Sequence, residues 1–393
     1  MNLSKITAAS LLFCGLALGA GQAQSETINF GVSAPLSGTA AHWGRMMVWS
    51  AEQAAAQINQ GGGIKVGGKT YQIKILGYDN KYSAQDGAKV AQEMIRRDGV
   101  KYIVGSMGAA PVRATQAISE VDHVVLFTGA WSNSIKGPKY PYTFSQGNTQ
   151  AEILGPLYKY IVDHNAKAKS VFVINPNDAT GDATEKEALR VWNELSVKVV
   201  GETKYERGAT EFSPIATRIA HLGPAIVDLG SMPPGEAALL IKALAVQDWK
   251  GVKVVAAGNS VKQMAEIAGE ALEGTYLGLA ADFSGPLATD IQRKLQAAAG
   301  QEVPYNSIAS WDAVMAVKAA AESANSLDPE KIKDVLVHVK FESSFGPSAF
   351  GRAEIYGAPI AMLLPVLVTQ VEGGKVVERA RLIPTELNEK LKP

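Results

Sequence analysis

One stretch has the spacing of a phosphate-binding loop: Gly63-Ile-Lys-Val-Gly-Gly68-Lys69-Thr70. In such loops glycine backbones wrap a nucleotide's phosphates, and a strand before and a helix after aim the helix N-terminus at the charge. Here the order is inverted, because a helical pattern ending near Asn59 comes first and the alternating strand pattern Tyr71 to Tyr78 comes second. The stretch therefore reads as a turn. The five histidines, His42, His123, His164, His221 and His338, have no metal-ligand spacing and no His-Glu-x-x-His helix. There is no Gly-x-Ser-x-Gly nucleophile elbow. His42 differs from the others only in standing beside Trp43. No set of nucleophile, base and metal ligands emerges, so the chain reads as a non-enzyme with no cofactor.

What remains is a set of strand-to-helix loops rich in small and hydroxyl residues. Gly105 to Ala110, which holds Ser106, Ala109 and Ala110, precedes Pro111, a residue suited to a helix's first turn. Gly129 to Asn133 holds Ala130, Trp131 and Ser132. Both offer backbone N–H groups near a helix start, a geometry that suits a carboxylate or another small anion. Trp43 and Trp131 can supply apolar or stacking surface beside them. Trp43 lies in Ile28 to Gly44, a stretch that reads as a strand stopping at Pro35, a polar loop and an Ala-rich helix. Strands feeding helices through such loops build the ligand mouth of an open α/β sheet.

These loops need strands and helices to hold them. From Ile28 to about Gly278 the pattern alternates strand and helix in two series. The first contains Tyr71 to Tyr78, a helix capped by Ser83 and running to about Arg97, Tyr102 to Val104 and Val124 to Phe127. The second follows a Gly-, Pro- and Tyr-rich passage at Gly137 to Gly147, with strands at Val171 to Ile174, Val197 to Val200, Ile226 to Leu229, Val252 to Val255 and Thr275 to Leu279. Its helices are expected near Asp182, Ser213, Pro234 and Ser260. The last third reads as helices over 286–299, 307–325 and 329–338, then a hairpin of Met362 to Val371 and Lys375 to Glu378 about Gly373-Gly374. Two such series imply two α/β lobes, each a parallel sheet covered by helices.

A length of 393 residues fits two domains. Lys plus Arg and Asp plus Glu number 38 each, which leaves no electrostatic footprint for nucleic acid or anionic lipid. Lys5, the apolar run Ile6 to Ala20 and the small residues about Gln22 read as a secretory signal over residues 1–23. The single cysteine, Cys14, lies inside it, so disulfides and thiol chemistry are excluded from an exported, soluble mature chain.

The chain resembles the branched-chain amino-acid (Leu/Ile/Val-binding) family of periplasmic solute-binding proteins of ABC transporters. The resemblance rests on Pro35-Leu-Ser-Gly38 with Trp43-Gly44, Ile58-Asn59 before Gly62-Gly63-Ile64, Tyr78-Asp79, Tyr102-Ile-Val-Gly105 and Glu211-Phe-Ser-Pro. It implies the type I periplasmic binding protein fold, an α/β architecture of two Rossmann-like lobes joined by three crossover segments. The lobes would be 26–146 with 280–360 and 147–279 with 361–385, with crossovers near Phe144 to Gln150, Tyr276 to Ala281 and Leu363 to Val371. It further implies a monomer in the periplasm that closes on a small-molecule ligand by hinge motion and docks on inner-membrane permease subunits.

The implied pocket departs from the family pattern at several points. The loop matching the ligand-carboxylate site is Gly108-Ala109-Ala110, which offers backbone donors with Ser106 nearby. Ala130 matches the residue whose carbonyl lies in the amino-group contact region, beside Trp131 and Ser132. Thr180 stands where Tyr is common, and Met232 where an aromatic is frequent. The acid that pairs the ligand ammonium is absent from Ala257-Gly258-Asn259-Ser260, which leaves Asn259 at that place and Asp178 or Asp282 as substitutes. Tyr82 and Gly108 match a disulfide of several members, so Tyr82 is expected to pack beside Gly108. Two ligand classes stay open, a hydrophobic amino acid and an aromatic or alicyclic carboxylate. A sensory module for a membrane kinase or chemoreceptor is the alternative role.

Overall fold

The computed structural model describes residues 26–392 apart from 39, 258, 259 and 302; the signal segment read over 1–23 and Asn259 lie outside the described residues. Eleven strands come first in the chain: β1 Glu26–Ala34, β2 Ile64–Val66, β3 Lys69–Asp79, β4 Tyr102–Ser106, β5 Val125–Thr128, β6 Thr143–Ser145, β7 Ser170–Pro176, β8 Lys198–Tyr205, β9 Ile226–Asp228, β10 Val252–Val255 and β11 Tyr276–Leu277. After a helical section come the hairpin β12 Phe341–Ser343 and β13 Gly346–Ser348, then β14 Phe350–Gly351, β15 Ala361–Met362, β16 Val366–Glu372 and β17 Lys375–Leu382. Among the described residues they form two large sheets, ordered β14-β15-β6-β5-β4-β1-β3-β2 and β17-β16-β11-β10-β9-β7-β8.

The central pairs are parallel, β1 with β3 and β4 in the first sheet and β7 with β8 and β9 in the second. Alternation along each strand explains why both faces need cover. Tyr102 and Val104 of β4 face one apolar cluster and Ile103 the opposite one. Val171 and Val173 of β7 likewise part from Phe172 and Ile174. The helix Tyr305–Ala324 returns to the first lobe and places Trp311, Val314 and Val317 in the same cluster as Phe30 and Met47.

The chain passes between sheets three times: from β6 into the helix Gln150–His164, after β11, and from β15 to β16. Asn148 ties the first passage to the third, because its amide donates to the carbonyls of Pro365 (2.9 Å) and Leu364 (3.4 Å) and to the Tyr305 hydroxyl (3.2 Å).

Two details depart from the sequence reading and a third agrees with it. The expected strand Met362 to Val371 is two strands in different sheets, because the chain leaves β15 and passes Pro365 before it enters β16. The helix Gln150–His164 was not anticipated; Pro156 interrupts its pattern, yet Thr149 and Glu152 form a full capping box. The phosphate-loop look-alike is a β2–β3 hairpin whose turn residues Gly67 and Gly68 have φ of +59° and +75°.

The helix Tyr305–Ala324 is held to the β12–β13 hairpin by Asp312, whose carboxylate accepts the Ser344 N–H and hydroxyl. Burial pushes the Asp312 carboxyl up to about 7, against the pull of those two donors. Between about pH 4 and pH 7 the native state keeps this proton and the unfolded chain does not, so stability falls as pH rises through that window. Asp312→Asn is expected to flatten this part of the profile of Tm against pH in scanning calorimetry; an unchanged slope would assign it to other groups.

Candidate ligand-binding cleft

Parallel strands deliver their carboxyl ends to one edge, and the two sheets turn those edges toward each other. A cleft opens there. From the first lobe it is lined by Trp43 after β1, Tyr82 after β3, Met107 and Gly108 after β4, and Gly129, Ala130 and Trp131 after β5. From the other side come Thr180 after β7, Ser231 after β9, Ala257 after β10 and Leu279 after β11, with Asn306 from the first turn of the helix Tyr305–Ala324. No carboxylate is among these residues. The enclosed free space is about 30 Å³, room for about two water molecules.

The lobes repeat one local device. After β1, an added Cβ at Gly44 would lie 1.9 Å from the Pro35 carbonyl oxygen, and after β7 one at Gly181 would lie 1.8 Å from that of Pro176. Only glycine lets each helix start so close to its strand. This seats Trp43 and Thr180 in matching first turns. Asp178 caps the second of these helices by accepting the Thr180 and Gly181 N–H groups at 3.0 and 2.9 Å.

Of the residues singled out by sequence, Trp43, Ala130, Trp131 and Thr180 are brought together at the cleft. Ala109 and Ala110 open the helix Ala109–Ser119 directly behind Gly108, and their N–H groups have no partner among the described residues. Ser106 is turned away, its hydroxyl donating to the Phe127 carbonyl at 2.9 Å. The buried Ser132 hydroxyl bonds that of Ser134 at 2.8 Å. Met232 lies fully buried in the second lobe's core, because Gly230 (φ +43°) turns the chain so that Ser231 takes the cleft position. Asp282 lines a separate concavity with Lys262, Glu266 and Lys375.

Sequence reasoning missed Met107, Ser231, Leu279 and Asn306. All but Asn306 sit within three residues of a strand's carboxyl end, a positional signal that side-chain type does not carry. Tyr82 packs as expected, its ring 3.4 Å from where a Gly108 Cβ would stand.

Tyr82 also spans the cleft. The Arg207 guanidinium of the second lobe stands over its ring, 4.7 Å from the centroid. Burial raises the Tyr82 hydroxyl above its usual pKa. Arg207 is itself paired with Asp178 at 2.7 Å, so that acid is neutralised inside the second lobe.

Beneath the cleft floor, Lys136 is 7% exposed and its ammonium donates to the Ala130 carbonyl at 2.8 Å. Burial pulls its pKa down to about 7, opposed by the charge of Glu152. The Ala130 N–H donates to the Thr128 hydroxyl at 3.0 Å, so both backbone polar groups of Ala130 are engaged. Glu152 is occupied on its other side by the Thr149 N–H and hydroxyl and by the Tyr356 hydroxyl.

Two parallel-stranded lobes, three passages between them and a cleft at facing strand ends define the periplasmic binding protein fold. The sequence model of that family, described as "Periplasmic binding protein", matches residues 27–375, and the chain belongs to it. The Leu/Ile/Val-binding protein homolog 1 of Brucella suis biovar 1 is 29% identical over 334 residues, 82% of this chain and 86% of the relative. The leucine binding protein LivK of Thermotoga maritima MSB8 superposes with a TM-score of 0.78 at 20% identity, covering 92% of this chain and all (100%) of that one. An ABC transporter solute binding protein of R. palustris, solved in complex with benzoate, gives 0.75 at 18% identity, covering 91% of this chain and 97% of that one.

The contact of Arg207 with Tyr82 acts only when the lobes are close. Loss of a cation–π contact of about 1 kcal/mol in Tyr82→Ala shifts the closed-to-open ratio about fivefold toward open. Spin labels at Val121→Cys and Val246→Cys, exposed positions on the two lobes, report it as a larger share of long distances. An unchanged distance distribution would show that the ring does not hold the lobes together.

Proposed function

We propose that this chain is the periplasmic ligand-binding receptor of an ABC uptake system, closing its two lobes on a small, largely apolar carboxylate and presenting the closed form to inner-membrane permease subunits. The observation that carries this reading is the cleft itself, where two indoles and Gly108 share the lining and the next residues, Ala109 and Ala110, open a helix with N–H groups that have no partner among the described residues. Those donors and the positive end of the helix dipole favour a carboxylate. Trp43, Trp131, Met107 and Leu279 then receive its apolar body.

The relatives point the same way, one being named for Leu/Ile/Val binding, one for leucine, and one having been solved with benzoate. The described lining residues include no acid, histidine or cysteine, which favours holding a ligand unchanged over turning it over. The even charge balance fits a monomeric receptor that recognises its ligand locally and has no nucleic-acid partner. The cleft holds a cavity of about 30 Å³, and parting of the lobes would widen it to admit a ligand before they close on it.

A thermal-shift and small-angle scattering panel tests this with leucine, isoleucine, valine, benzoate, 4-methylpentanoate and 3-phenylpropanoate. At 100 times Kd a ligand stabilises by about 2.7 kcal/mol, a rise of a few degrees in Tm, and the radius of gyration contracts. Absence of any shift across the whole panel would overturn the reading.

A further inference from the structure

We propose that Lys136 is a specificity-determining residue of the cleft: its ammonium, seated on the Ala130 carbonyl, closes the site to ligands that carry an α-ammonium and reserves it for carboxylates with a neutral body. This rests on the ligand-binding reading of the cleft and deepens it by naming the substrate class.

A ligand ammonium leaving water needs acceptors, and an unpaired one is costly to bury. Carboxylates are the strongest acceptors, and the described lining residues include none. The two acids offered as substitutes by the sequence are accounted for, and Glu236 is held by the Tyr205 hydroxyl and the Gly208 N–H. Asp178 accepts Arg207 and caps its own helix, and Asp282 faces a different concavity. Backbone carbonyls are the next resource, and the carbonyl of Ala130, on the loop that bears Trp131, already accepts an ammonium at 2.8 Å. Two ammonium groups on one oxygen stand about 5 Å apart, and in a buried setting their repulsion is weakly screened.

The acid that offsets Lys136 cannot serve the ligand as well. Glu152 is buried behind the loop, held by Thr149 and Tyr356, with Arg352 as a further cation 3.9 Å away. Lys136 is fixed in place rather than swinging at the surface, since it is also 5.6 Å from the centre of the Tyr356 ring. The helix-start donors at Ala109 and Ala110 are untouched by this arrangement, so the carboxylate end of a ligand loses nothing. The helix-start donors thus stay available while the Ala130 carbonyl is occupied.

The test compares ligands that differ only in the ammonium: leucine against 4-methylpentanoate, and phenylalanine against 3-phenylpropanoate, by isothermal titration at pH 6. The wild type is expected to bind at least one deamino compound tenfold or more tighter than its amino counterpart. Lys136→Met is expected to narrow that ratio at least fivefold, while Lys136→Arg, which keeps the charge, preserves it. The wild-type comparison stands even where Lys136→Met fails to fold. Tighter or equal binding of the amino acids by the wild type, or an unchanged ratio in folded Lys136→Met, would overturn the assignment while leaving the cleft a binding site. Binding of neither member of either pair to the folded wild type would overturn the binding reading and this assignment with it.

Discussion

Parallel strand pairing is the constraint on which the rest depends. Because β1 runs alongside β3 and β4, and β7 alongside β8 and β9, each lobe must present all its strand-to-helix loops along one edge. Glycine then sets how closely a helix can follow its strand, and the Pro35–Gly44 and Pro176–Gly181 approaches bring one helix start from each lobe to the cleft. The three passages between sheets keep those edges facing. Asn148 fastens two of the passages by their carbonyls, so the link between the lobes is a narrow strip of tied chain.

Buried polar groups sit where this architecture needs fixed geometry. Asp228 accepts the Tyr158 hydroxyl at 2.6 Å, the Trp192 indole at 2.8 Å and the Gly230 N–H at 2.9 Å, which holds the turn after β9 from which Ser231 reaches the cleft. Thr149 and Glu152 close a capping box at the first passage, and Asn133 of the cleft loop accepts from the Thr149 hydroxyl at 3.2 Å. The loop that carries Ala130 and Trp131 is therefore bound to the hinge by hydrogen bonds rather than by apolar contact alone. Such networks cost desolvation, and their return is a defined loop position instead of a large gain in stability.

The two-lobe fold was legible in the sequence because hydrophobic runs bounded by Gly and Pro marked β4, β5, β7, β9 and β10 close to their observed ends. Short strands were not legible. The few residues of β6, β14 and β15 carry too little periodicity, and so the strand at Met362 was fused with the one beginning at Val366. Thr149-x-x-Glu152 announced the helix that Pro156 obscured. At the cleft, aromatic residues and strand-end loops led to Trp43, Ala130, Trp131 and Thr180. Side-chain direction was beyond reach: a one-residue rotation at Gly230 exchanges Met232 for Ser231, and hydroxyls such as Ser106 can bond inward as readily as outward. The Lys136 contact depends on a loop folding back over six residues, which no motif encodes.

The two walls of the cleft are chemically unequal although their folds repeat. The first lobe brings both tryptophans, Tyr82, Met107 and the helix-start donors, whereas the second brings Thr180, Ser231, Ala257 and Leu279. Aromatic area and hydrogen-bond donors are thus concentrated on loops of the first lobe, although the Trp131 indole packs into the apolar cluster of the second. The second wall adds mainly small residues that exclude water. Leu279 and Ala257 cover the cleft from that side, and the Arg207–Tyr82 contact beside it joins the lobes directly. Under the proposed receptor reading, the first lobe's loops carry most of the recognition, so a ligand of a different shape can be accommodated by changing those loops while the Arg207–Tyr82 contact is kept.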